Sequence, residues 1–187
     1  MSKQILIGLC GPAGCGKDTV AYLLHKHGAF HRYTMAKAMK QGLEVMLGVP
    51  MEIWDDRVAK ETVIPWIGKS PRQLAQTLGT EWGRNLIHQD IWLRRMLREW
   101  DEVRTYVSPR MVVTDVRFDN EAQAIKNAGG TVWKVERPGV TAVAAHVSEK
   151  GVSSALIEGV VKNTGSLDQL DANIQQWVKF LMRRYAK

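Results

Sequence analysis

Gly11-Pro12-Ala13-Gly14-Cys15-Gly16-Lys17-Asp18-Thr19 decides how this chain is read. An apolar, strand-like stretch (5–9) precedes it, and a helix-like stretch (19–27) follows. Strand, glycine-rich loop, Lys and helix in that order make a phosphate cradle. The glycines let the main chain approach phosphate oxygens closely. Their N–H groups and the helix N-terminus turn positive ends toward the anion. Lys17 is expected to reach the β- and γ-phosphates, so the stretch predicts binding of a nucleoside triphosphate, with Gly11, Ala13, Gly14, Cys15, Gly16, Lys17, Asp18 and Thr19 as its contacts. The position after the Lys ordinarily carries the Ser or Thr that touches magnesium; here it is Asp18, followed by Thr19. Asp18 can hold magnesium through water, Thr19 can take over, or neither touches the metal.

The rest of the chain has the pattern that such a loop needs. The 187 residues suit one domain. Strands are expected at about 3–9, 30–34, 111–115, 131–136 and 160–162, and helices at about 35–47, 71–86, 120–128 and from Ser166 on. Ser70 is read as an N-cap before Pro71, and Ser166 as the cap of the last helix. Leu167, Leu170, Ile174, Trp177, Val178 and Leu181 are expected on one face of that helix. Between them, Asp90 opens a helix whose Trp92, Leu93, Met96, Leu97 and Trp100 form one stripe. Residues 51–69 show no periodicity, and 138–152 read as a loop or lid. Strands alternating with helices predict an α/β fold with a parallel sheet covered on both faces.

Composition narrows the function further. No apolar run is long enough to span a membrane, and the start runs directly into the first strand, so a cytoplasmic protein is expected. Cys10 and Cys15 are expected as free thiols. The net charge of +7 suits nucleic acid or small polyanions. The basic residues are scattered beside glycines, prolines and helix starts, which favours discrete phosphate sites over a stable nucleic-acid partner. His25, His27 and His31 fall at a helix end and are not expected to hold a metal.

A second carboxylate completes the donor site. Asp115 ends an apolar strand, where ligands gather in open α/β sheets, and can hold magnesium there. Val116 follows it, not the Glu that positions water in many hydrolysing ATPases. Asp115-Val116-Arg117-Phe118 lacks the glycine of a GTPase switch, and Lys162-Asn163-Thr164-Gly165 is not the guanine motif. Transfer to a bound acceptor is therefore favoured over hydrolysis. Arg72 and Gln76 lie four apart and share a helix face, and Arg84 follows the glycines at 79 and 83. A planar guanidinium suits a second phosphate, and an amide suits a base edge.

Gly-Lys-Asp-Thr, the long run from Pro71 to Arg84, Asp90-x-Trp92, Asp115-Val116-Arg117-Phe118-x-Asn120-Glu121 and His146-x-Ser148-Glu149 occur in this order. In them the chain resembles bacteriophage deoxynucleoside monophosphate kinases over most of its length, residues 11–170. The resemblance implies an α/β, three-layer α/β/α nucleoside monophosphate kinase fold: a parallel five-stranded sheet with a helical acceptor-binding insert and a small lid. It divides the chain into a core (1–34, 108–137 and 153–187), an acceptor region (about 35–105) and a lid (about 138–152). It implies magnesium-dependent transfer of the ATP γ-phosphate to a deoxynucleoside monophosphate, and it admits a homodimer. It places Arg72, Gln76 and Arg84 in the acceptor site, with Lys37, Trp82, Asp90, Trp92, His146 and Glu149 as further candidates; Trp82 either packs on the base or fills the core. Arg117 or Arg137 would balance the charge of the moving phosphoryl group, and Asn163 with Gly165 is a candidate adenine contact or a plain turn. The rival readings are another small-molecule kinase, of the dephospho-coenzyme A or phosphomevalonate type, and a nucleotide- or DNA-binding module.

Overall fold

The computed structural model describes residues 4–56, 58–140 and 151–184. It divides into two compact units, Met1–Thr34 with Met96–Lys187 and, separately, Met35–Arg95.

The first unit is built on a sheet. Among the described residues five strands pair in the order β2-β3-β1-β4-β5: β1 (Ile5–Cys10), β2 (His31–Tyr33), β3 (Arg110–Val113), β4 (Thr131–Glu136) and β5 (Gly159–Lys162). Every neighbouring pair is parallel. β1 is central, and all six of its residues are buried. A strand covered on both faces has no use for polar alternation, which is why Ile5–Cys10 reads as one apolar run. On one face, α1 (Lys17–Gly28) and α6 (Leu167–Arg184) pack Val20, Leu24, Ile174 and Val178 against Ile7, Leu9 and Val135. On the other, α5 (Asp119–Asn127) approaches so closely that a Cβ on Gly8 would sit 2.6 Å from Ile125 Cδ1. This is the expected three-layer α/β/α arrangement.

The α6 stripe is the expected one apart from its first residue. Leu170, Ile174, Val178 and Leu181 are buried, while Leu167 is largely exposed. Leu167 stands in the first turn, before the helix reaches the sheet. Ser166 and Gln169 fix that turn: Gln169 N–H donates to Ser166 Oγ (3.2 Å), and Ser166 N–H donates to Gln169 Oε1 (2.9 Å).

The second unit is helical. It holds α2 (Ala36–Leu47), α3 (Pro71–Gln76) and the first part of α4 (Ile91–Tyr106). Residues 51–69, aperiodic in sequence, fold as two single 3-10 turns, Met51–Trp54 and Ala59–Glu61, and a bridge between Ile64 and Lys69. Leu43, Val49, Trp54 and Leu74 form the unit's core.

One element departs from the sequence reading. The helix expected through Leu86 is α-helical only to Gln76; Thr77–Ile87 is a π-helix. The cause lies in two glycines and a tryptophan. The Trp92 indole N–H donates to Gly79 O (2.7 Å), and a Cβ on Gly83 would meet the Trp92 ring at 2.7 Å. A side chain that takes a main-chain carbonyl out of the i to i+4 ladder widens the helix. The wide form ends where His88 N–H bonds to Gly83 O, five residues back (2.9 Å).

Candidate active site

The Gly11–Lys17 loop is set by three glycines with positive φ: Gly11 (135°), Gly14 (81°) and Gly16 (102°). Two of them are hemmed in as well. A Cβ on Gly11 would lie 2.5 Å from Val135 O, and one on Gly16 would lie 2.5 Å from Asn163 Nδ2. Gly16 serves as N-cap of α1, and Lys17 is its first residue. The Lys17 ammonium lies over the loop, donating to Gly11 O (2.7 Å) and Pro12 O (2.9 Å), with Cys15 Sγ at 3.8 Å. Ala13 and Gly14 are exposed at the crown, and Cys15 is buried beneath it.

Asp18 is exposed in the first turn of α1, where a carboxylate also complements the helix dipole; Thr19 is half-buried beside it. Both cysteines are free and buried. Burial pushes the Cys10 thiol up to about 11, against the lowering pull of Lys134 and Lys17.

Asp115 follows β3, the strand paired with β1 in a register that sets Gly8 against Val113. The loop and the carboxylate therefore leave the sheet side by side, at its carboxyl edge. Thr34 Oγ1 donates to Asp115 Oδ2 (2.7 Å), so the residue after β2 orients the carboxylate that follows β3. Thr34 carried no signal of its own in the sequence, because the contact joins residues far apart in the chain.

Arg117 and Arg137 are both exposed. Arg117's main chain is held from below: the buried Glu121 accepts from the N–H groups of Arg117 (2.8 Å) and Phe118 (3.2 Å). The Asn-Glu pair of the sequence motif thus includes a capping carboxylate that fixes the backbone after Asp115. Next to it, Asp119 accepts from Ser153 N–H (2.8 Å) and Ser153 Oγ (2.5 Å), and these bonds hold its carboxyl below the usual carboxylate range. His146, Ser148 and Glu149 lie outside the described residues.

Asn163 braces the phosphate loop. Its Nδ2 donates to Cys15 O (3.0 Å) and touches the open side of Gly16. Gly165 is covered by Gln169, whose Oε1 would lie 1.9 Å from an added Cβ. The three histidines go to separate partners: His25 Nδ1 to Phe30 O (2.9 Å), His27 Nε2 to Asp171 Oδ1 (2.6 Å) and His31 Nε2 to Glu99 Oε1 (3.7 Å).

In the second unit, Arg72 and Gln76 both stand on α3, four apart and half-buried. The start of α3 is fixed by a capping box: Gln73 N–H donates to Ser70 Oγ (3.3 Å), and Ser70 N–H to Gln73 Oε1 (2.8 Å). Arg72 Nε donates to Glu61 Oε1, a partner that the sequence reading missed. Arg84 stands on the π-helix, with Nη1 3.4 Å from Gln89 O. The glycines at 79 and 83 are occupied by Met39 and Trp92, so the close approach they permit is to side chains of their own unit. Trp92 is buried with its N–H engaged, while Trp82 is 44% exposed and does not fill the core. Asp90 N–H bonds to His88 Nδ1 (2.9 Å), and its carbonyl accepts from Arg94 N–H (2.8 Å). Lys37 is exposed, and the Lys40 ammonium lies 5.2 Å from the centre of the Trp54 ring.

The chain is similar to proteins of known family. Residues 56–174 match the family model described as deoxynucleotide monophosphate kinase. A putative deoxynucleotide monophosphate kinase of Acanthamoeba polyphaga mimivirus is 33% identical, over 78% of this chain and 81% of its own. The deoxynucleoside-5'-monophosphate kinase of Escherichia phage T5 is 28% identical, over 66% of this chain and 72% of its own. In fold, the chain is similar to dephospho-CoA kinase from Campylobacter jejuni (TM-score 0.53, 11% identity, 97% of this chain and 98% of that one). A positive-φ glycine loop opening α1, a carboxylate just past the adjacent strand and a match across most of the sequence lead to one conclusion: the chain belongs to the deoxynucleotide monophosphate kinase family.

Proposed function

We propose that this chain catalyses magnesium-dependent transfer of the γ-phosphoryl group of ATP to a deoxynucleoside monophosphate, giving the diphosphate and ADP. The observation that carries the reading is the pairing of the Gly11–Lys17 loop with Asp115 at the ends of two neighbouring parallel strands. The kinases among its relatives support the acceptor class. The likeness to a dephospho-CoA kinase, at 11% identity, bears on fold alone.

The loop amides and Lys17 bind the β- and γ-phosphates. Bound magnesium would supply charge neutralisation at those phosphates. The donors at hand suit it: Asp115, oriented by Thr34, and the Thr19 hydroxyl are hard oxygen ligands. Among the described residues no cluster of three His, Cys, Asp or Glu could cage a metal by protein alone.

Arg72 and Arg84 hold the acceptor phosphate, and Gln76 offers a donor and an acceptor to the base edge. With a second pKa of about 6, that phosphate is already largely dianionic at neutral pH, so no general base is required. One of its oxygens attacks the γ-phosphorus. The bond from that phosphorus to the β–γ bridging oxygen breaks, and ADP leaves with the electron pair. Arg117 or Arg137 offsets the charge that accumulates on the phosphoryl group.

The test is a pair of variants in an ADP-release assay with ATP and a dNMP. Lys17→Ala should lose at least about a thousandfold in kcat/KM. Asp115→Asn should raise the magnesium concentration needed for half-maximal rate by about tenfold. A Lys17→Ala enzyme within tenfold of wild type would remove the loop from the reaction.

A further inference from the structure

Arg72, which the proposed reaction uses on the acceptor phosphate, already has an anionic partner. Its Nε donates to Glu61 Oε1. Both residues stand on short, locally capped segments of the helical unit. Glu61 ends the 3-10 turn Ala59–Glu61, and its N–H bonds to Val58 O (3.0 Å). Asp56 fixes the start of that turn, its Oδ1 accepting from the N–H groups of Val58 (2.7 Å) and Ala59 (3.0 Å). Thr62 Oγ1 closes it onto Val58 O (2.9 Å). Arg72 is the second residue of α3, in the turn locked by the Ser70–Gln73 capping box with Pro71 at its start.

The geometry of a guanidinium makes this pairing informative. It has five N–H donors in a rigid plane. Glu61 takes the Nε edge, and the Nη groups make no hydrogen bond among the described residues. A phosphate needs two such donors side by side, which the two Nη groups provide. The pair is partly exposed, at 35% for Arg72 and 51% for Glu61, so it adds little to folding stability. A bond at Nε restricts how the guanidinium plane can turn.

We propose that Glu61 is a positioning residue: it holds Arg72 by Nε so that the Nη edge is presented to the phosphate of the acceptor nucleotide, without itself touching substrate. The inference rests on the assignment of Arg72 to the acceptor. Glu61 also places a negative charge near a dianion, so the two effects of the carboxylate oppose each other. A Gln keeps an oxygen that accepts from Nε and removes the charge.

The variants Glu61→Ala, Glu61→Gln, Arg72→Ala and the Ala double variant are compared for KM of a dNMP, KM of ATP, kcat and thermal midpoint. Glu61→Ala should raise the acceptor KM about two- to fivefold, the range that a partly exposed pair can supply, with ATP KM and midpoint unchanged, and Glu61→Gln should return it to wild type or below. In the Arg72→Ala background, Glu61→Ala should have no further effect. A fall or no change in acceptor KM for Glu61→Ala, or an equal rise in both backgrounds, overturns the role of Glu61. An Arg72→Ala enzyme with unchanged acceptor KM instead overturns the assignment of Arg72 itself.

Discussion

Replacing Gly16 by Ala tests how the phosphate loop is held. Two costs add at this position. The residue sits at φ 102°, where a Cβ costs about 1–2 kcal/mol against a glycine. That Cβ would also lie 2.5 Å from Asn163 Nδ2, so the amide must move and give up its 3.0 Å bond to Cys15 O. A hydrogen bond of this kind contributes about 0.5–1.5 kcal/mol. Together they amount to about 1.5–3.5 kcal/mol, and if the whole cost falls on the ATP-binding form of the loop, kcat/KM for ATP drops roughly 10- to 400-fold. The assay is ADP release at saturating acceptor, with thermal unfolding alongside to separate a distorted loop from a lost fold. An Asn163→Ala background distinguishes the two costs. There the clash and the bond are already gone, only the dihedral cost remains, and Gly16→Ala should cost several-fold less than in the parent. A Gly16→Ala enzyme within threefold of wild type, or a penalty as large without Asn163 as with it, would refute the brace.

Two further outcomes follow from buried contacts. Gly83→Ala should lower stability by about 1–3 kcal/mol, since its Cβ would stand 2.7 Å from the Trp92 ring in a packed interior, and chemical denaturation measures it; an unchanged midpoint would mean that the π-helix does not depend on that contact. The Cys10 thiol, ordinarily near 9.0, is pushed up to about 11 in the fold. Its folded value exceeds its unfolded one, so its contribution to stability is complete below pH 9 and is lost as pH rises from 9 towards 11. Urea unfolding at pH 8 and 10 should therefore show a larger loss for wild type than for Cys10→Ala; equal losses would contradict the shift.

The parts of the site that are local in sequence were legible there. Glycine spacing announced the loop because positive φ and close approach select glycine at Gly11, Gly14 and Gly16. An apolar run ending in Asp115 announced a buried strand with a carboxylate at its edge, and Ser70 and Ser166 announced two helix starts. What was not legible depends on residues distant in sequence. Nothing near Asn163 points to the loop that it braces, Thr34 meets Asp115 only once β2 and β3 pair, and Glu61 meets Arg72 only once residues 51–69 have folded. The π-helix hid for a related reason. Gly79 and Gly83 read as room for a ligand, and only the fold of their unit shows Met39 and Trp92 in that room. Leu167 matched the apolar period of α6 but precedes the point where the helix meets the sheet, so periodicity overstated its burial.

Transfer to a deoxynucleoside monophosphate is tested by product identification by ion-exchange chromatography after incubation with ATP, magnesium and, separately, each dNMP, each NMP and dephospho-coenzyme A. ADP is expected together with an equal amount of the matching deoxynucleoside diphosphate, with no product from dephospho-coenzyme A. Folded protein that forms no diphosphate from any dNMP, or that phosphorylates dephospho-coenzyme A instead, would contradict it.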